Sequence, residues 1–284
     1  SNGVLATSAG GNVVVNISSA STTGVDATGV AAQTTGAGTV TTNAGVITTT
    51  GNNAGGLTIT TGSGAVDAGY GSITTSGTGA PALSIASTGT VNLRGAGATL
   101  QTNGAGVTAA TIGGAGLTGN LGNVTTTGAG AQGAIITSTA PVNLVIGTVS
   151  TTGNGVTVNV GANAVILATG AVTATSAGAT GTVVNSTGAV TFNGGIQTAN
   201  GANALRITGG AGPINATIAG AATTGVGTAV NVSGTGPLTF ANTGSITTTG
   251  ATSNGINITS VSTAAVNCGN VSTTGPNSPA VVVS

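Results

Sequence analysis

The sequence predicts an all-β fold: a right-handed parallel β-helix (a β-solenoid) with three short strands per coil, about 25 residues per coil and about eleven coils. Three observations predict it. A short Val/Ile-Thr-Thr-Thr-Gly motif recurs from end to end. Apolar residues alternate with polar ones in short runs, at matching places in each copy. The segments between these runs are rich in Gly, Asn, Ser and Thr, which make turns.

The recurring motif sets the frame. Its marker glycine, or the aligned substitute, falls at Gly24, Gly51, Gly77, Gly104, Gly128, Gly153, Ser176, Asn200, Gly225, Gly250 and Gly275. A period near 25 residues signals stacked coils. Within a copy, the marker strand contributes an apolar column: Ile47, Ile73, Leu100, Val124, Val149, Val172, Ile196, Ile246 and Val271. A second strand follows, with the pairs Leu57/Ile59, Leu83/Ile85, Val156/Val158, Leu205/Ile207, Val230/Val232, Ile256/Ile258 and Val281/Val283. A third carries Val91/Leu93, Val142/Leu144, Val165/Leu167, Val190/Phe192, Leu238/Phe240 and Val266/Cys268. Two-residue spacing with β-branched residues and abundant glycine excludes helix. Proline agrees with this register. Pro141, Pro213 and Pro237 each precede the first inward residue of a third strand, and a strand's start tolerates proline where its middle does not.

Parallel coils spaced ~4.8 Å apart make ten steps a rod on the order of 50 Å, and the crossover rule gives right-handed winding. Residues 1–284 read as one continuous solenoid, each coil held by its neighbours. The chain has no Met, which suggests a fragment or processed part of a longer protein. It starts at Gly3-Val4-Leu5-Ala6 and stops at Val281-Val282-Val283 without a capping segment. Open β-edges template further pairing, so the expectation is a longer native chain or head-to-tail stacking.

Charge is nearly absent. Asp26, Asp67, Arg94 and Arg206 are the only charged side chains. Nucleic acid needs Lys/Arg clusters, so it is not expected as a partner. No apolar run is long enough for a membrane span. A neutral surface favours association.

These few reactive residues predict no catalytic, metal or cofactor site. Cys268 reads as a buried hydrophobe in the column of Phe192 and Phe240, and a catalytic thiol would need an activator such as His, which is absent. Asp26 and Asp67 follow different strands and read as solvated turn residues rather than a glycosidase pair. Arg94 and Arg206 read as single solvated cations.

The threonines carry the candidate site. Residues three and one before the marker glycine should point outward, giving Thr48/Thr50, Thr74, Thr125/Thr127, Thr152, Thr173/Thr175, Thr247/Thr249 and Thr274 as two parallel ladders on a flat face. They look like the Thr-x-Thr array of ice-binding β-solenoids, with breaks expected at Gln101/Asn103, Gln197/Ala199 and Ala222/Thr224. A second Thr column, Thr49, Thr75, Thr102, Thr126, Thr151, Thr198, Thr223, Thr248 and Thr273, should point inward and bond to itself or to backbone at the corner.

Segments such as Ile246-Thr-Thr-Thr-Gly-Ala-Thr-Ser-Asn-Gly-Ile256 resemble passenger repeats of bacterial autotransporters and are similar to filamentous-haemagglutinin-type adhesins. That resemblance spans essentially the whole chain. It implies export to a bacterial cell surface and a role in adhesion, aggregation or biofilm. The expected function is therefore an extracellular structural solenoid that is not an enzyme. Its expected partner is itself, through head-to-tail or lateral contacts, with surface glycans or O-glycosylation as further possibilities. The alternatives are an ice- or glycan-binding wall built on the Thr ladders, and after it a polysaccharide-degrading enzyme.

Overall fold

The computed structural model describes residues 1–284 and contains strands, turns and bends but no helix. The chain is a β-solenoid of about eleven stacked coils of about 25 residues, joined by parallel pairings. It divides into two compact units, Ser1–Gly147 and Thr148–Ser284.

In Ser1–Gly147 one sheet stacks Val4–Ser8, Val30–Thr34, Leu57–Thr60, Leu83–Ala86, Thr108–Gly114 and Gln132–Ser138. Its second sheet holds Val13–Thr22, Val40–Thr49, the pair Val66–Tyr70 and Ile73–Thr75, the pair Val91–Arg94 and Thr99–Thr102, and Leu117–Thr126. In Thr148–Ser284 the first sheet stacks Val156–Val160, Thr182–Ser186, Leu205–Gly209, Val230–Gly234, Ile256–Ser260 and Val281–Val283. Its second sheet holds Val165–Thr169 with Val172–Ala174, then Val190–Ala199, Ile214–Thr223, Leu238–Thr248 and Ala264–Thr273.

Like residues stack because the ladders run in register. Leu57 lies opposite Leu83 and Ile59 opposite Ile85, all buried. Burying one such side chain contributes roughly 1.5–3 kcal/mol, and here each also packs on its equivalents in adjoining coils. The three inward runs of each coil are present. In most coils the third-strand run and the marker run form one bent strand of about ten residues. In Val40–Thr49 the buried positions are Val40, Thr42, Ala44, Ile47 and Thr49. The alternation changes phase between Ala44 and Ile47, and that change is the bend.

The bend keeps a fixed length in most coils, and this corrects two readings. Seven positions separate Val40 from Ile47, Leu117 from Val124, Val165 from Val172 and Ile214 from Ala221. Applied to Val190, the same spacing points to Gln197 rather than Ile196. Gln197 is indeed fully buried and pairs with Val172 and Ala221, while Ile196 is 55% exposed. Ala199 is therefore inward and Thr198 outward, the reverse of the sequence expectation. The marker of this coil shifts from Asn200 to Gly201, which bridges to Ala179. The buried amide is satisfied: Thr182 Oγ1 donates to Gln197 Oε1 at 2.7 Å, and Gln197 Nε2 donates to Thr169 Oγ1 at 3.3 Å and to the Gly195 carbonyl at 3.2 Å. In the last coil, seven positions back from Val271 is Ala264. Ala264 and Val266 accordingly pair with Leu238 and Phe240, and Cys268 pairs with Asn242. Cys268 is thus outside the phenylalanine column, and it is only half-buried.

The marker corner is a tight turn. The Ala54 N–H donates to the Gly51 carbonyl, and Asn53 between them has φ +54°. Asp26, Gly79, Gly106, Gly130, Gly178, Thr252 and Asn277 also adopt positive φ, between 55° and 78°. A type II turn needs this at its third position and favours proline at its second, where Pro276 stands. The inward threonines close the turn. Thr75 Oγ1 donates to the Ala80 carbonyl at 2.6 Å, Thr126 to Ala131 at 3.0 Å and Thr248 to Ser253 at 2.8 Å; Thr22 and Thr49 do the same to Ala27 and Ala54. Of the two partners expected for these hydroxyls, the corner backbone is the one used.

Candidate interaction faces

The outward threonines lie on the marker portion of the second sheet, positioned by the buried column beside them. Thr48, Thr50, Thr74, Thr125 and Thr127 in Ser1–Gly147 are exposed or half-exposed, as are Thr152, Thr173, Thr175, Thr247, Thr249 and Thr274 in Thr148–Ser284. Thr48 stacks on Thr74 in register.

The two columns differ chemically. The column beside the turn is tied to the preceding coil: Thr175 Oγ1 donates to the Thr151 carbonyl at 3.2 Å, Thr249 to Thr224 at 3.3 Å and Thr274 to Thr248 at 3.4 Å. Thr127 reaches the Asn103 side chain at 2.7 Å. In the other column, the hydroxyls of Thr48, Thr74, Thr125, Thr173 and Thr247 make no hydrogen bond within the protein. One ladder is thus tied to its neighbours at Thr127, Thr175, Thr249 and Thr274, though not at Thr50, and the next presents free donors and acceptors.

The corrected register makes the array in Thr148–Ser284 more regular than the sequence reading. The break expected at Gln197/Ala199 is replaced by the outward pair Thr198/Asn200. Asn200 belongs to the tied column, since its side chain donates to the Thr175 carbonyl at 2.9 Å and accepts from Thr224 Oγ1 at 3.1 Å. The break at Ala222 remains. In Ser1–Gly147, Gln101 and Asn103 do interrupt the threonines, but they join one another and Ser76 by side-chain hydrogen bonds. The signal that would have found the shift was the seven-residue bend that most coils share. The hydrophobicity of Ile196 masked it.

The charged residues are placed as follows. Asp26 occupies a marker turn, as read from the sequence. Asp67 is a strand residue on Val66–Tyr70, not a turn residue, and Arg94 is not a lone cation. Arg94 Nε donates to Asp67 Oδ1 at 2.7 Å, and its Nη2 reaches the Thr42 carbonyl at 3.1 Å and Asn43 Oδ1 at 2.8 Å. The guanidinium spans to the second coil below because Gly69 lies in between: a Cβ there would sit 2.8 Å from it. Partial burial of Asp67 opposes its charge, but the hydrogen bonds from Arg94 and Asn92 and the Arg94 charge outweigh that and hold the carboxyl below its ordinary range. Arg206 is exposed on Leu205–Gly209 and has no ion-pair partner. Tyr70 is buried, and its hydroxyl donates to the Leu121 carbonyl at 3.2 Å. Burial pushes the Tyr70 hydroxyl upward in pKa.

No family model, curated protein or solved structure matches the chain.

Proposed function

We propose that this protein is an extracellular structural solenoid, exported to a bacterial cell surface, that works by self-association within a surface fibre or matrix. The observation that carries this reading is the outward threonine face. It is uncharged, its backbone is saturated by the ladders, and one column of hydroxyls is unclaimed within the protein. Two such faces meet without charge repulsion, and a second copy presents hydroxyls at the same coil spacing of ~4.8 Å. Stacked polar side chains interdigitate in this way in dry β-interfaces. Adhesion follows from the same surface, displayed many times along a fibre.

The test is sedimentation velocity on the full chain across a wide concentration range, with electron microscopy of the same samples. The expected result is concentration-dependent association that is lost in a Thr125→Lys, Thr173→Lys, Thr247→Lys triple variant whose circular dichroism is unchanged. A wild-type chain that stays monomeric at high concentration would overturn the reading.

The corrected register favours a second reading, in which the same ladders order water as an ice-binding face. That reading expects thermal hysteresis, abolished when Thr125 and Thr127 are replaced by Leu. Freezing behaviour equal to that of a non-binding control would remove it.

A further inference from the structure

We infer that the first sheet of Ser1–Gly147 carries a binding trough for a neutral oligosaccharide of two or three rings. The site is on a different face from the threonine ladders and does not depend on them.

The trough originates in one outward column. Gln33, Thr60, Ala86, Gly113 and Thr137 stack in register on successive coils. Its middle members are the two smallest, so the surface dips between the Thr60 and Thr137 side chains. The hollow measures about 420 Å³. A Cβ built on Gly113 would have no neighbour closer than the Ile85 carbonyl at 3.8 Å, so the space above it is open. The equivalent column in Thr148–Ser284 is Asn159, Asn185, Thr208, Ser233 and Thr259. Every member there carries a polar side chain, and none is reduced to Ala or Gly.

A second hollow of about 320 Å³ lies beside the first, lined by Pro81, Gly106 and Thr108 among others. Thr111 lines both and stands as the saddle between them. Each hollow falls near the lower end of the ~300–1,000 Å³ typical of small-molecule sites, the scale of a single sugar ring. Two hollows sharing a saddle suit a short chain of rings better than a single ring.

The chemistry of the walls selects the ligand class. The lining has no charged group, so an acidic or basic ligand would lose solvation without gaining a partner. Backbone N–H and C=O groups of this sheet are consumed by the coil-to-coil ladders, so an extended peptide finds no free edge to pair with. What remains is a mostly apolar surface whose floor includes the Ala86 methyl, with the hydroxyls of Thr60, Thr88, Thr111 and Thr137 set around it. Hydroxyls donate and accept in any rotamer, and thus match a polyol whose C–H face rests on the floor. Without an aromatic platform the affinity is low, with Kd on the order of 1 mM.

The experiment is an amide NMR titration of the full chain with cellotriose, maltotriose and tri-N-acetylchitotriose, with trigalacturonate as the charged control. The expected result is a saturable perturbation by at least one neutral trisaccharide, centred on Thr60, Ala86, Thr111, Gly113 and Thr137. Gly113→Leu should abolish it by filling the trough, and Ala86→Leu serves the same purpose should the first variant not fold. Thr111→Val keeps the shape and should weaken binding about five- to tenfold. The proposal is overturned if no neutral probe gives a saturable response at tens of millimolar, if the filled variants bind as well as wild type, or if trigalacturonate binds as tightly.

Discussion

Ser1–Gly147 and Thr148–Ser284 are built from the same coil and share one way of absorbing irregularity, a lengthened bend, but they differ in a second. In Thr148–Ser284 the lengthened bend takes eight positions from Leu238 to Ile246, with a register shift in the ladder. In Ser1–Gly147 the bend between Val91 and Leu100 takes nine positions, where most coils take seven. Long side chains hold that region. Arg94 reaches down to Asn43, and Tyr70 reaches Leu121. Both need a glycine in their path: Gly69 under the guanidinium, and Gly95, where a Cβ would sit 2.5 Å from the Tyr70 ring. In Thr148–Ser284 the misfit at Ile196 is handled the other way. The bend keeps its length, and the core accepts a buried glutamine with two threonines around it. The difference teaches that coil-to-coil register outranks the hydrophobicity of a single residue, because a register slip would turn a whole run to the wrong face.

The largest effect should come from the core of Thr148–Ser284. Phe192 lies between Leu167 and Ala216 in its column, and Phe240 lies beyond Ala216. Small Ala216 leaves room for both rings. Phe192→Ala would place two alanines side by side and should cost about 3–5 kcal/mol in urea denaturation. Tyr70→Phe, in the other unit, removes one hydrogen bond and keeps the ring, so about 1 kcal/mol is expected. Equal costs for the two would break the comparison.

The glutamine comes next. Gln197→Leu strips Thr182 Oγ1 and Thr169 Oγ1 of their buried partner, and the expected loss is about 1–3 kcal/mol. Adding Thr182→Val should recover part of it, since it removes one of the two orphaned hydroxyls and leaves that of Thr169. A double variant no more stable than Gln197→Leu alone would show that the hydrogen bonds are not what holds Gln197 inside.

These residues also show what the sequence discloses. The period, the inward columns, the proline positions and all eleven outward threonines named at the start were legible, because alternation and turn chemistry are local signals. Ile196, Gln197 and Cys268 were misread. Each lies next to a bend, where alternation changes phase and only the spacing to the next coil decides orientation. The Asp67–Arg94 pair was not visible, because in-register contacts between coils need an alignment accurate to one residue across a longer bend. The trough was hidden for a similar reason: Ala86 and Gly113 signal nothing until their column is known.

The corner turns offer a smaller test. Gly130 holds φ +67° in one unit and Thr252 holds φ +57° in the other. This region costs an L-residue roughly 1–2 kcal/mol, and a β-branched one is a marked outlier there. A Cβ at Gly130 would touch nothing within 4 Å, so Gly130→Ala isolates the backbone term and should destabilise by about 1 kcal/mol. Thr252→Gly should stabilise by about 0.5–1 kcal/mol, the strain released outweighing the added entropy of the unfolded chain. Differential scanning calorimetry reads both signs. A Thr252→Gly variant that melts lower would place the strain elsewhere.

The smallest effect concerns acid. Partial burial works against the Asp67 charge, but Arg94 and Asn92 outweigh it and depress the carboxyl below the ordinary range. A depressed folded-state pKa means stability fully present above the unfolded value of ~3.9 and lost as pH falls through the folded value. Both side chains of the pair are about two-fifths exposed, 41% and 42%, so solvent screening limits the pair to about 0.5 kcal/mol. Tm should therefore fall only slightly between pH 5 and pH 2.5. Asp67→Asn should flatten that slope, because the substituted amide would keep a neutral hydrogen bond to Arg94 without a proton to gain. Arg206, in the other unit, has no carboxylate beside it, and Arg206→Gln should leave the slope unchanged. A steep acid transition that survives Asp67→Asn would mean that another group, not this pair, links folding to pH.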